Sequence, residues 1–158
     1  MPFTAQTERY EMSATGLEVF DRTIHKTNIW LKDLMEMLDC GDRHDAYLAL
    51  RATLHALRDR LTIEEAAQFA AQLPMLVRGF YYEGWDPTGK PVKERHKEEF
   101  LIRIHRELGP HGIAAERGAR AVFQLLANRI SEGEIEDIEH VLPREIRDLW
   151  PAKVDQKA

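Results

Sequence analysis

The chain has 158 residues, of which 44% are hydrophobic and 31% charged, a composition typical of a soluble protein with one core. Acidic residues outnumber basic ones by 27 to 22, and no basic run offsets the net charge of −5, so nucleic-acid binding is not expected. No apolar stretch approaches the ~18 residues that cross a membrane, and the N-terminus lacks a signal-peptide pattern, which predicts a cytoplasmic protein. The single cysteine, Cys40, excludes an internal disulfide and a cysteine-based zinc site.

The first predicted helix has apolar residues at spacings of three, four and seven, which is typical of one buried helix face. These residues are Leu17, Phe20, Ile24, Leu31, Leu34 and Leu38. Thr15 and Glu18 have the spacing of a capping box at its start. Gly41 follows the last apolar residue, where a left-handed stop is expected.

A second and a third helix follow with the same kind of pattern. The second has its apolar stripe at Tyr47, Leu50, Leu54, Leu57 and Leu61. The third begins at Thr62, whose hydroxyl caps the helix while Glu65 reaches back to complete the box. Pro74 cannot continue that helix and suits the first turn of a short fourth one. The predicted apolar face of the fourth helix is Leu76, Val77 and Phe80. No strand pattern is present, so the predicted fold class is all-α.

The sequence also repeats itself at an offset of 69 residues. Residues 51–82 align without a gap on residues 120–151, and eight of the 32 positions are identical. The identical pairs are Arg51/Arg120, Ala52/Ala121, Leu57/Leu126, Arg60/Arg129, Glu65/Glu134, Leu73/Leu142, Pro74/Pro143 and Arg78/Arg147. This predicts a tandem duplication of a unit with a long, a long, a short and a very short helix, sharing one bundle core. The predicted boundaries are a tail at 1–14, repeats at 15–82 and 93–151, a linker at 83–92, and a tail at 152–158.

The densest aromatic cluster of the chain lies where the first repeat meets the linker. Phe80, Tyr81, Tyr82 and Trp85 lie within six positions, just before the segment rich in Gly and Pro. Tyr81 aligns with Trp150 at the matching end of the second repeat, which favours a structural joint in which Trp85 is largely buried. The alternative is a binding groove rimmed by Tyr82 and Trp85.

The Leu-Pro segments and the YYEGW linker carry a family resemblance. Three segments resemble a prokaryotic family known as domain of unknown function 2267. They are the segment from LRATLHALRDRL to the linker, then RHKEEFL, and later AVFQLLANRISEGEIEDIEHVLPREIRDLWP. The resemblance covers about residues 13 to 151. It implies a small, helical, duplicated bacterial protein, and it brings no established activity, cofactor or catalytic residue.

Patterns that carry catalysis or metal binding are weak. Asp137 and His140, like His96 and Glu99, have helical ligand spacing but lie in strongly charged segments that favour a solvated face. Cys40 lies at a helix C-terminus, where the helix dipole disfavours a thiolate. Neither a nucleotide-binding glycine loop nor a nucleophile elbow is present. We therefore expect no catalytic, cofactor-binding or metal-binding residues, and no cofactor.

The duplicated arginines are the more informative polar residues. Arg78 and Arg147 each lie four residues after a Leu-Pro pair. Arg60 and Arg129 precede the caps of the third helix and its counterpart, and Glu65 and Glu134 accompany the arginines. The favoured interpretation is an ion pair inside each repeat that pins the last short helix to the loop after the second helix. The alternative is an anion site, because the planar guanidinium can bind a carboxylate or a phosphate with two hydrogen bonds. The candidate ligand or partner surface is Arg78, Tyr82, Trp85 and Arg147.

Three functions remain open from the sequence. The first is a non-catalytic interaction or scaffold module that binds an unknown protein partner or its own copy. The second is a small-ligand or anion sensor with a pocket between the repeats, and the third is an enzyme with dispersed residues. A filled core with an exposed apolar stripe favours the first, whereas a buried pocket with convergent polar groups favours the others.

Overall fold

The computed structural model describes residues 13–110 and 112–152, and these residues form an all-helical fold. The predicted tails, 1–14 and 152–158, lie almost entirely outside the described residues. Eight helices follow one another in this part of the chain. They are α1 (Glu18–Leu38), α2 (Arg43–Arg60), α3 (Ile63–Ala70), α4 (Met75–Tyr82), α5 (Lys97–Leu108), α6 (Ala115–Arg129), α7 (Glu132–Val141) and α8 (Arg144–Arg147).

Helix α2 lies at the centre of the bundle. It packs against α1, α4, α5 and α6, and ten of its 18 residues are buried. The predicted stripe is confirmed at four positions, because Leu50, Leu54, Leu57 and Leu61 have no exposed surface. One hydrophobic cluster runs from Trp30 in α1 to Trp150 after α8. Both predicted repeats therefore contribute to a single core.

Helix α1 departs from the prediction in its first turns. Leu31, Leu34 and Leu38 are buried as expected. The expectation that the N-terminal part of the same stripe is buried was wrong, because Leu17, Phe20 and Ile24 are 47%, 48% and 37% exposed. The periodicity specifies an apolar face, but only the C-terminal half of that face is buried by the other helices of the bundle.

The ends of α1 also differ from the prediction. Thr15 does not cap the helix directly, because its N–H and hydroxyl both donate to the carboxylate of Asp21. Helix α1 begins at Glu18 with no side-chain cap on its first N–H groups. The left-handed stop is Asp39, with a φ of 48°, and not Gly41. Aspartate tolerates this backbone region better than most side chains, so glycine is not needed here.

The caps of α3 and α7 follow the predicted chemistry. The Glu65 N–H donates to the Thr62 hydroxyl at 3.1 Å, and the Glu134 N–H donates to the Ser131 hydroxyl at 3.4 Å. Pro74 and Pro143 precede α4 and α8 with nearly the same backbone angles, φ −54° and ψ 148° against φ −57° and ψ 150°. These local matches agree with the duplication, which itself remains a prediction.

Helix α4 has a narrower buried face than its sequence predicts. Val77 and Phe80 are buried, but Leu76 is 44% exposed. Its backbone N–H donates to the Thr23 hydroxyl of α1 at 2.9 Å. The start of α4 is thereby tied to α1, and the Leu76 side chain stays in water near the exposed part of α1.

Candidate functional site

The most distinctive surface of the protein is apolar and lies where α1 meets α4. We call it the α1–α4 face and define it by Leu17, Phe20, Ile24 and Leu76. Each of these side chains is between 37% and 48% exposed. Single exposed apolar residues are ordinary, whereas several of them together on adjoining elements mark a contact surface.

A groove opens into this face and has a volume of about 420 Å³. Its walls come from three helices, and they are mostly apolar. The lining residues are Ile24, Thr27, Asn28, Leu31, Tyr47, Leu76, Gly79, Phe80 and Glu83. Gly79 borders open space in the groove, because a Cβ atom placed there would have no neighbour within 4 Å. The groove can therefore accept an apolar side chain from outside.

A polar network lies beneath the C-terminal end of α4, and sequence reasoning did not predict it. His55 is only 7% exposed and uses both ring nitrogens. Its Nδ1 lies 2.7 Å from Glu107 Oε1, and its Nε2 lies 2.6 Å from the Phe80 carbonyl oxygen. His55 thus joins α2 to α4 and α5.

Glu107 is the charged partner of this histidine. Burial raises the pKa of Glu107, but the hydrogen bond and charge of His55 and the charge of Arg51 outweigh burial and hold that pKa below its usual value. Arg51 Nη1 lies 2.5 Å from Glu107 Oε1. The ionised carboxylate of Glu107 therefore binds two side chains of α2, those of Arg51 and His55.

Arg58 closes the end of α4. Its Nη1 donates to the carbonyls of Tyr81 at 2.6 Å and Glu83 at 2.8 Å. These are carbonyls that the helix leaves without an intrahelical partner. Arg58 Nε also lies 3.0 Å from Asp59 Oδ1, and the side chain is 6% exposed. The sequence signal that could have identified Arg58 and His55 is their position beside the buried Leu54 and Leu57, where polar residues need partners.

The predicted surface residues separate into two groups. Tyr82 and Trp85 lie together, with ring centroids 5.4 Å apart. Arg78 donates to the carbonyls of Ala70 and Leu73, whereas Arg147 donates to the carbonyl of Leu142. The arginines thus share a role at their Leu-Pro turns. That role is hydrogen bonding to the end of the preceding helix, which replaces the predicted ion pair with Glu65 or Glu134.

The two capping-box glutamates lie near each other instead. Burial raises the pKa of Glu134 above its usual value, and the charges of Asp137 and Glu65 raise it further. Glu65 Oε2 and Glu134 Oε1 are buried and have no hydrogen-bond partner. Among the described residues, no group of three His, Cys, Asp or Glu side chains has the geometry of a metal site. This carboxylate pair alone does not define a metal centre.

Arg147 lines an open cleft formed by residues of the second half of the chain. The cleft has a volume of about 760 Å³ and runs between the end of α7 and the segment after α8. Its charged residues are Arg120, Glu139, Arg147 and Asp148, and His140 also lines it. Arg120 donates to the Asp148 carbonyl at 3.1 Å and pairs with Glu116. Two arginines and two carboxylates balance one another, so the cleft has little excess positive charge.

Trp85 tests whether the aromatic linker is a structural joint. The Trp85 side chain is only partly buried against the core, so it is less enclosed than the joint interpretation predicts. Its indole Nε1 is nevertheless inaccessible and has no hydrogen-bond partner. We expect Trp85→Ala to lower the free energy of unfolding by about 2 kcal/mol, below the ~3–5 kcal/mol of a fully buried tryptophan. The melting temperature should fall by roughly 4–8 °C, while Trp85→Phe, which retains a ring, should lose less. A fall of under ~2 °C for Trp85→Ala, the size of an ordinary surface change, would exclude the joint.

The architecture places this chain in the class of small all-helical proteins with one shared core. No helix in residues 13–110 or 112–152 has the length and apolar character to cross a membrane. A sequence model of the family of uncharacterized conserved proteins called DUF2267 matches residues 27–149. The match spans most of the chain, so the protein belongs to the DUF2267 family, which the Leu-Pro segments and the YYEGW linker had predicted. The comparison with curated proteins found no match.

Proposed function

We propose that this protein is a non-catalytic helical interaction module that binds a partner through the α1–α4 face. The observation that carries the proposal is the exposure of Leu17, Phe20 and Ile24 on a stripe whose continuation, Leu31, Leu34 and Leu38, is buried in the core. A single amphipathic face thus begins in water and ends inside the fold. Such a face is completed when another apolar surface covers its exposed part.

The groove beside this stripe fits a known mode of recognition. An amphipathic helix binds an apolar groove by inserting side chains spaced three, four or seven residues apart. Leu31 and Phe80 are buried in the groove, while Ile24 and Leu76 form exposed edges. The groove is therefore apolar at depth and accessible at its rim, as a helix-binding surface requires.

The alternatives have less support. A small-ligand or anion sensor would need convergent polar groups, but the arginines that line the large cleft are already bonded to backbone carbonyls. An enzyme would need a reactive group in a cleft. His55, the most buried histidine of the described residues, is enclosed between Glu107 and the Phe80 carbonyl. Its role in this position is structural.

The proposal predicts that charge on the α1–α4 face removes partners. We expect a tagged chain with Phe20→Glu, purified from the cell that naturally makes it, to lose at least ten-fold in the amount of each specific partner. Phe20 is 48% exposed, so this variant should keep its melting temperature within ~2 °C of the original. The matched control is Ile102→Glu, because Ile102 is 50% exposed on α5, outside the α1–α4 face.

The comparison of Phe20→Glu with Ile102→Glu distinguishes an effect specific to the α1–α4 face from the general effect of adding a charge to the protein surface. Equal partner recovery with both variants would contradict the proposal. Loss of partners with Ile102→Glu and not with Phe20→Glu would place the interaction elsewhere and would also contradict it.

A further inference from the structure

We infer that the occupant of the α1–α4 face is a second copy of this chain, bound through a two-fold axis with the two α1 helices antiparallel. This inference rests on the proposed function and adds the partner. Each copy would insert Phe20 into the other copy's groove. In a two-fold dimer the same patch serves both subunits, so the surface must carry both a projection and a matching recess.

The face carries both of these features on adjoining turns. Phe20 projects from α1, and Ile24, one turn later, forms part of the groove wall. Four residues of helix advance by about 6 Å, so projection and recess lie side by side. A two-fold axis between them places each Phe20 opposite the partner's groove. A groove for an unrelated helix has no need for a large aromatic residue exposed beside it.

The order of projection and recess along α1 sets the antiparallel arrangement. Phe20 precedes Ile24 by one turn, so each Phe20 meets the partner's groove only when the two helices run in opposite directions. In a parallel pair each Phe20 would face the other Phe20 instead of the groove. The helix dipoles also oppose one another in the antiparallel pair.

The apolar area agrees with a small dimer. Four side chains at 37% to 48% exposure place on the order of 300 Å² of apolar surface in water on each copy. Two copies together supply about 600 Å². A small interface that buries ~1,200 Å² in total, a little over half of it apolar, needs a similar amount. We therefore expect a weak dimer, with dissociation in the micromolar range.

The test is sedimentation equilibrium of the full chain over about 10 to 300 µM, a range that spans such a dissociation constant. We expect a monomer–dimer equilibrium for the original chain and a monomer for Phe20→Lys and for Gly79→Glu. Gly79→Glu fills the groove, and it should not harm the fold because the site is open and Glu favours a helix more than Gly does. Ile102→Glu, the control on α5, should dimerise as the original chain does.

Mixing the two monomeric variants gives the decisive result. A mixed pair has one unaltered contact between Phe20 and Gly79, and one contact in which the introduced lysine faces the introduced glutamate. These two side chains have opposite charges and attract each other. We expect the mixture to recover the dimer at least ten-fold more strongly than either variant alone. A head-to-tail contact between the same two positions would continue beyond two copies, so the inference also requires that the recovered species stops at the mass of a dimer.

The possible results distinguish a failure of the dimer inference from a failure of the proposed function. A strictly monomeric original chain would overturn the inference, and so would a dimer that survives both variants. If the chain is monomeric but Phe20→Glu still removes cellular partners, the proposed function stands with a different occupant. If the chain is monomeric and removing residues 1–12 newly exposes the face to a hydrophobic dye, the chain's own N-terminal segment covers it, and the inference is overturned.

Discussion

Arg58→Met is expected to lower the melting temperature by about 10 °C. The methionine retains an unbranched apolar stem but removes the guanidinium with its charge and its donors, so the Tyr81 and Glu83 carbonyls lose their partner. Breaking a buried, hydrogen-bonded charge pair costs about 3–5 kcal/mol. In a chain of this size each kcal/mol moves the midpoint by roughly 2–4 °C.

The matched control is Arg22→Met on α1. Arg22 pairs with Glu18 at 3.1 Å, but its side chain is 62% exposed, so we expect a change of under ~2 °C. Thermal unfolding followed by circular dichroism measures both variants. Similar melting temperatures for the two variants would contradict the assignment of Arg58 as the clamp on the end of α4.

The second large effect concerns Glu107 and depends on pH. We expect Glu107→Gln to reduce the free energy of unfolding at pH 7 by about 2 kcal/mol, because hydrogen bonds to charged groups contribute ~1.5–3 kcal/mol. The amide can still accept one hydrogen bond, but it leaves His55 and Arg51 of α2 without a facing negative charge. Glu99→Gln, on the exposed side of α5, is the matched control and should have little effect.

The pH dependence follows from the direction of the pKa change. The pKa of Glu107 is lower in the folded state than in the unfolded state. Its contribution to the free energy of unfolding is therefore fully present above the unfolded-state pKa of about 4.3, and it is lost as the pH falls through the folded-state pKa. The difference in stability between the original chain and Glu107→Gln should therefore be largest near neutral pH and shrink below about pH 4. A difference that stays constant from pH 7 to pH 3 would show that the charge of Glu107 does not act on the fold.

The ends of the helices were predictable from the sequence where neighbouring residues alone determine them. The Thr62 cap and the proline before α4 depend on neighbouring residues alone, and the structure has both. The stripe of α2 was also predictable, because a central helix meets apolar neighbours on several sides and nearly every apolar residue becomes buried.

The sequence was less informative where a residue's surroundings come from distant segments. The spacing of Leu17, Phe20 and Ile24 is the same as that of the buried leucines later in α1, so periodicity cannot distinguish covered from uncovered turns. Arg78 and Arg147 both bond at their Leu-Pro turns, but their acceptors are carbonyls and not the predicted glutamates. A backbone carbonyl carries no sequence signature, whereas a glutamate does.

His55 illustrates the same limit in the candidate site. Its partners, Glu107 and the Phe80 carbonyl, lie 52 and 25 residues away in the sequence. Only the packing of α4 and α5 against α2 brings them together. The α1–α4 face could likewise not be predicted, because it is defined by the absence of a packing partner on part of a regular helix.

Hydrogen exchange at the backbone amides tests the role of the α1–α4 face most directly. The chain is compared at low and high concentration, or with and without a purified cellular partner, and Phe20→Glu serves as the control. We expect slower exchange in the first three turns of α1 and in α4 on association, no change in α5 around Ile102, and no effect in Phe20→Glu. Protection confined to the cleft around Arg120 and Arg147, with α1 unchanged, would contradict the assignment of this face as the binding surface.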